Sequence, residues 1–195
     1  MKRETGEPGY NGVFALITIN LAVFALQRTL PWLGNWALPL DDPNWYQFIT
    51  SLFCHANWQH ISGNLFFLYL FGRLVEEKEG VAGVVVSYLI CGIGANAISV
   101  LFMSGGVMVG ASGSVFGLFT VSVLLRLRLE WRSILETLIL GQFVVVQVIW
   151  EIRSISNADN IGHLAHVAGA LTGGVLIFAV AQIVNRANPR QIQAS

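Results

Sequence analysis

Residues 161–184 read Ile161-Gly162-His163-Leu164-Ala165-His166-Val167-Ala168-Gly169-Ala170-Leu171-Thr172-Gly173-Gly174-Val175-Leu176-Ile177-Phe178-Ala179-Val180-Ala181-Gln182-Ile183-Val184, without one Asp, Glu, Lys or Arg. As a helix rising about 1.5 Å per residue, this run is about 36 Å long, enough to cross a hydrocarbon core of about 30 Å. The rest of the chain agrees with it. Of 195 residues, 54% are apolar and only 11% charged, and the mean hydropathy is +0.63. Soluble domains are about 25% charged. A domain this apolar lacks the polar surface to cover itself in water, so the composition points to a bilayer. The 11 basic and 11 acidic residues cancel, which leaves no basic field for nucleic acid.

Five further apolar stretches precede this one, at roughly 13–30, 55–72, 81–103, 109–125 and 134–150, most of them near the length of about 20 residues that a spanning helix needs. The first has no small-x-small cleavage site before Pro31 and is followed by five more, so it reads as a retained helix rather than a signal peptide. The expectation is a tail over 1–11, one helical membrane domain over 12–185 and a second tail over 186–195. Placing the N-terminus inside puts Lys2, Arg3, Arg73, Lys78, Arg126, Arg128, Arg132, Arg186 and Arg190 on the inner side. Only Arg28 and Arg153 then face outward, so both termini are expected on the positive side. All six tryptophans fall near expected span ends, as an interfacial belt requires. Cys54 and Cys91 lie in apolar context and read as packing residues.

Polar groups inside a bilayer are costly, so those present are functional candidates. Three clusters stand out: Cys54 to Asn64 at the second span, Gly110-Ala111-Ser112-Gly113 at the fourth, and Gly162 to Gly169 at the sixth. Ser112 precedes Arg126 by fourteen residues and His60 precedes Arg73 by thirteen, which places both about 20 Å above the inner face. His166 comes out at about 24–30 Å, so the depths permit a single site. A fourth helix starting at Ser112 is too short to cross fully. The segment Met103–Gly110 would then be irregular backbone, which survives at that depth only against protein or a wet cavity. A hydrolase needs such a cavity for its water.

Ser112 at a helix start, flanked by Gly110 and Gly113, is open to close approach by a substrate backbone. The free N–H groups of the first turn stand ready for an oxyanion. Gly113-x-x-x-Gly117 and Gly169-x-x-x-Gly173 are small-residue stripes that let two membrane helices approach closely. Each piece also has a plain reading. Gly-x-Ser-Gly alone is often a packing seam, and His60 with Asn64 shares one helix face and could simply tie helices together. A metal or haem site from His55, His60, His163 and His166 is a further alternative, but its spacings suit a shared helix face poorly and Ser112 is left unexplained. No carboxylate lies in the apolar interior near Ser112, since Glu151 and Asp159 are loop residues. A serine hydrolase built on these residues works with a Ser–His dyad.

Together, His60-x-x-x-Asn64, Gly110-x-Ser112-Gly113 and Ala165-His166-x-x-Gly169-x-x-x-Gly173 resemble the rhomboid family of intramembrane serine proteases, in its order and on spans two, four and six. The likeness runs from about residue 12 to residue 184. It implies an all-α membrane protein, a six-transmembrane-helix bundle with a buried, short fourth helix carrying the nucleophile. By the resemblance, Ser112 is the nucleophile and His166 the general base, chosen over His163 by the glycines that follow it. His60 and Asn64 stabilise the oxyanion, and Gly110, Gly113, Phe116 and Gly169 support the site. No metal or cofactor is implied. Substrates would be single-pass transmembrane proteins, met within membrane lipid, and no nucleic-acid partner is expected. A bacterial inner membrane and an organellar membrane, a plastid one included, both fit. Two departures stand out. Tyr46-Gln47 occupies the place of the family's common Trp-Arg in the first loop, and Phe116 stands where Tyr is frequent. A catalytically inactive, client-binding relative is the principal rival.

Overall fold

The computed structural model describes residues 10–126 and 160–187, with residues 135, 139 and 142 in addition. The expected fifth span, 134–150, therefore lies outside the described residues except at those three positions, which are helical and exposed. Lys2, Arg3, Arg128, Arg132, Arg153 and Arg190, on which much of the charge asymmetry rests, also lie outside them, as do Trp131 and Trp150.

The described chain runs α1 (Asn11–Leu26), a 3-10 turn at Pro31–Trp36, β1 (Leu38–Pro39), α2 (Gln47–Thr50), a second 3-10 turn at Ser51–Phe53, α3 (Trp58–Phe102), β2 (Val107–Met108), α4 (Ser112–Arg126) and α5 (Asn160–Ala187). Two of these elements are long and apolar enough to cross a membrane: α3, and the Gly162–Val184 part of α5. The second and third apolar stretches are the two arms of α3. Asn57 caps the first arm, its side chain accepting the His60 N–H at 2.8 Å. Gly80 separates the arms with φ 72° and ψ −176°, a left-handed conformation that glycine adopts without a Cβ penalty.

Burial follows the helical period. Ile61, Asn64, Leu68, Phe71 and Val75 line the inner face of the first arm, and Val84, Tyr88, Cys91 and Ala95 that of the second. The outer faces are apolar as well. On α5, Leu171, Val175 and Phe178 share one face and are each more than 60% exposed. A helix apolar on both sides is matched to hydrocarbon outside as well as to protein inside. By contrast α4, about 22 Å long, packs between α3 and α5 and buries Gly113, Ser114, Val115, Gly117, Leu118, Val121 and Ser122. A helix covered by protein has no need to match the bilayer thickness. Cys54 and Cys91 are buried free thiols.

Glycines set the spacing of the three site-bearing helices. A Cβ on Gly169 would fall on the Gly113 carbonyl, and one on Gly173 would lie 2.6 Å from the Gly117 oxygen. The two stripes therefore face each other across α4 and α5 with backbone against backbone. At the far end of the bundle, Glu76 of α3 is 7% exposed and accepts the Gly12 and Val13 N–H groups at 2.9 and 2.8 Å. A carboxylate there fills orphan donors of α1 and meets the positive end of its dipole.

Candidate active site

The first loop and the segment before α4 brace each other. Leu38 pairs with Met108 and Pro39 with Val107 in an antiparallel ladder. Leu40 N–H donates to the Gly106 carbonyl at 3.2 Å, and Gly105 N–H to Asp41 Oδ1 at 2.8 Å. Met103–Gly110 was expected as irregular backbone. It contains this two-residue strand, and the first loop supplies partners that lipid does not offer. Gln47, at one of the two departures from the family pattern, is buried and ties the loop internally. Its Oε1 accepts from Asn44 N–H at 2.6 Å and its Nε2 donates to the Asn35 carbonyl at 2.9 Å.

Gly110 ends the braced segment. Its φ is +119°, a value side chains rarely adopt, and its N–H donates to the Ser51 carbonyl at 2.9 Å. A Cβ on Gly110 would lie 2.7 Å from the His60 ring and 3.5 Å from Asn64 Nδ2. The glycine thus lets His60 and Asn64 come up against the backbone two residues before Ser112. The Nδ2 of Asn64 is buried and has no hydrogen-bond partner among the described residues, which leaves a donor open beside the site.

Ser112 opens α4, and the helix's first bond is Val115 N–H to the Ala111 carbonyl at 2.9 Å. Ala111 has no side-chain acceptor with which to cap the turn, so N–H groups there remain available. Ser112, His60 and His166 line one cavity of about 280 Å³, together with Asn96, Gly110, Gly113 and others. Asn64 is placed beside it through Gly110, and Gly169 lies behind it at the α4–α5 contact. The His166 ring stacks on Phe116, with centroids 4.3 Å apart and planes 6° from parallel. His55 packs edge-on against His60, with centroids 5.1 Å apart. Its Nδ1 lies 3.3 Å from the Phe53 carbonyl. Among the described residues, no three of His, Cys, Asp and Glu come together as a metal-binding group.

Several buried polar residues escaped the sequence reading. Asn96 lines the cavity and donates to the Phe48 carbonyl and to Ser51 Oγ, both at 2.9 Å. It thereby holds the turn whose carbonyl fixes Gly110. Tyr88 donates to the Leu52 carbonyl at 3.0 Å and accepts from Asn20 Nδ2 at 3.3 Å. An asparagine inside an apolar stretch was the available signal for both Asn20 and Asn96.

Known proteins are similar to this chain in sequence. The Rhomboid domain family matches residues 42–183. Rhomboid-like protein 11, chloroplastic, of Arabidopsis thaliana is 43% identical over 95% of this chain and 71% of its own length. RHOMBOID-like protein 6, mitochondrial, of the same plant is 30% identical over 77% of this chain and 49% of its own. Rhomboid-related protein 1 of Caenorhabditis elegans is 26% identical over 75% of this chain and 42% of its own. The chain thus spans less than half of the latter two relatives. With a family match over most of its length, this chain belongs to the rhomboid family and is a helical membrane protein.

Proposed function

We propose that the chain is an intramembrane serine endopeptidase that cuts single-pass transmembrane proteins within or near the bilayer. The observation that carries this reading is the meeting of Ser112, His166 and His60 on one cavity, with Asn64 beside it and its Nδ2 without a partner among the described residues. His166 accepts the Ser112 proton as Oγ attacks the scissile carbonyl. The oxyanion is held by His60, Asn64 and first-turn N–H groups of α4. The tetrahedral adduct collapses, the peptide C–N bond breaks, and His166 returns the proton to the leaving amine. Water then attacks the acyl-enzyme, again through His166, and frees Ser112. No residue in this sequence of steps calls for a metal or cofactor.

The supporting frame is six membrane spans with both termini on the positive-inside side. The chloroplastic name of one relative favours an organellar membrane of plastid type over a bacterial inner membrane. The test is gel-based cleavage of a panel of single-pass substrates by wild type and Ser112→Ala in parallel, with fluorophosphonate labelling of both. Cleavage and labelling by the wild type alone support the protease. A wild type that neither labels nor cleaves while still binding the substrates is the inactive, client-escorting relative instead.

A further inference from the structure

About 20 Å along α3 from His60, at the end of the bundle away from the cavity, a second pocket of about 270 Å³ lies between α1 and α3. It is lined by Tyr10, Tyr69, Leu70, Arg73, Leu74 and Glu77. Among the described residues, no carboxylate holds Arg73 there. Its guanidinium sits 4.1 Å from the Tyr10 ring centroid and 5.3 Å from that of Tyr69, and its Nη1 donates to the Tyr69 hydroxyl at 2.9 Å. Among the described residues, Glu77 pairs with Arg126 at 2.7 Å. Among the described residues the carboxylate lining the pocket therefore already has a cation, and the Glu76 carboxylate, one turn along α3 from Arg73, is taken up by the Gly12 and Val13 N–H groups.

A guanidinium carries five N–H donors in a planar fork suited to phosphate oxygens. The pocket continues into an apolar track. Phe66, Tyr69 and Arg73 follow one another at i, i+3 and i+7 on α3, and Phe14 of α1 closes against Tyr69 with ring centroids 6.2 Å apart. Phe14 and Phe66 are 53% and 61% exposed, on faces that meet hydrocarbon. A fork for phosphate at one end and aromatic rails running into the bilayer at the other match a glycerophospholipid, with its phosphodiester at the interface and an acyl chain along Phe14 and Phe66.

We infer that the α1–α3 pocket around Arg73 is a binding site for an anionic phospholipid. Purified full-length protein is titrated with phosphatidylglycerol or phosphatidylcholine and read by native mass spectrometry. Wild type is expected to prefer phosphatidylglycerol by about fivefold, the effect of one well-placed cation near a lipid surface. Arg73→Gln is expected to lose that preference, whereas Arg28→Gln, over Phe24 at the other end of α1, keeps it. Equal binding of the two lipids by wild type, or a preference that survives Arg73→Gln, overturns the proposal. Ready displacement of the lipid by soluble glycerol 3-phosphate also overturns it, because the site then takes a free phosphate. A wild-type measurement guards against misfolding of the variant: a photoreactive phosphatidylglycerol is expected to label residues 10–14 and 66–74, and labelling confined to other segments counts against the site.

Discussion

The imidazole of His166 lies flat against the Phe116 ring, at 4.3 Å between centroids and 6° from parallel. The two residues sit on neighbouring helices, so the stack holds the proposed base at a fixed height beside the start of α4. A hydroxyl is not needed for that task, which explains how phenylalanine serves where tyrosine is frequent. Stacked rings contribute about 0.5–1.5 kcal/mol beyond area burial. Phe116→Ala is therefore expected to lower kcat by about two- to tenfold, with a smaller change in KM. Phe116→Tyr is expected to stay near wild type, and a steady-state cleavage assay in detergent micelles compares the three.

Gly110→Ala is expected to abolish cleavage while leaving the bundle folded. The position has φ +119°, and its Cβ would press within 2.7 Å of His60. Either the ring moves or the loop does, and both displace the proposed oxyanion donors from the Ser112 backbone. Removing one such donor lowers kcat by about a hundred- to a thousandfold in serine hydrolases. Fluorophosphonate labelling of Ser112 should fall in parallel with cleavage, while the helical circular dichroism is retained.

Gly169→Ala is expected to destabilise the bundle by about 1–3 kcal/mol, the usual range for overpacking, because its Cβ would land on the Gly113 carbonyl. Gly63→Ala provides the contrast. It adds a methyl where nothing lies within 4 Å, so stability should be unchanged or slightly raised. Denaturant titration of the two variants side by side reads the difference. Equal effects of the two substitutions would mean that the α4–α5 contact gives way to a methyl group and that Gly169 does not set the helix spacing.

Much of this architecture could be read from patterns one residue type wide. Charge-free runs of about 20 residues mark membrane helices because hydrocarbon tolerates little else. The rise per residue then put Ser112 and His60 at one depth, and the structure has both on one cavity. Gly169 and Gly173 showed where helices would touch, since only hydrogen side chains allow that distance. Other features depend on partners distant in sequence. Asn96 matters because Ser51 and Phe48 lie opposite it, 45 and 48 residues earlier. Gln47 looked like a missing arginine, yet its amide both accepts and donates within the loop, which a cation cannot do. Glu76 sits in the charged run Glu76-Glu77-Lys78-Glu79, where nothing in the sequence sets it apart from its neighbours. Its burial is visible only once α1 is docked.

That docking makes Glu76 a test of how α1 is held. Its two carboxylate oxygens each accept one backbone N–H, from Gly12 and Val13, and a bond to a charged group contributes about 1.5–3 kcal/mol. Glu76→Gln keeps the shape but replaces one acceptor with an NH2 that faces an N–H, so one bond is lost and two donors are opposed. The expected destabilisation is about 2–3 kcal/mol. Glu76→Asp keeps the charge and shortens the reach by one methylene, so it should lose less. Hydrogen exchange at Gly12 and Val13 should quicken in the Gln variant before the amides of α4 respond, since Ser112 and its neighbours are braced from the other end of the bundle. Uniform acceleration across α1 and α4 would instead make the α1 contact part of one cooperative unit with the site.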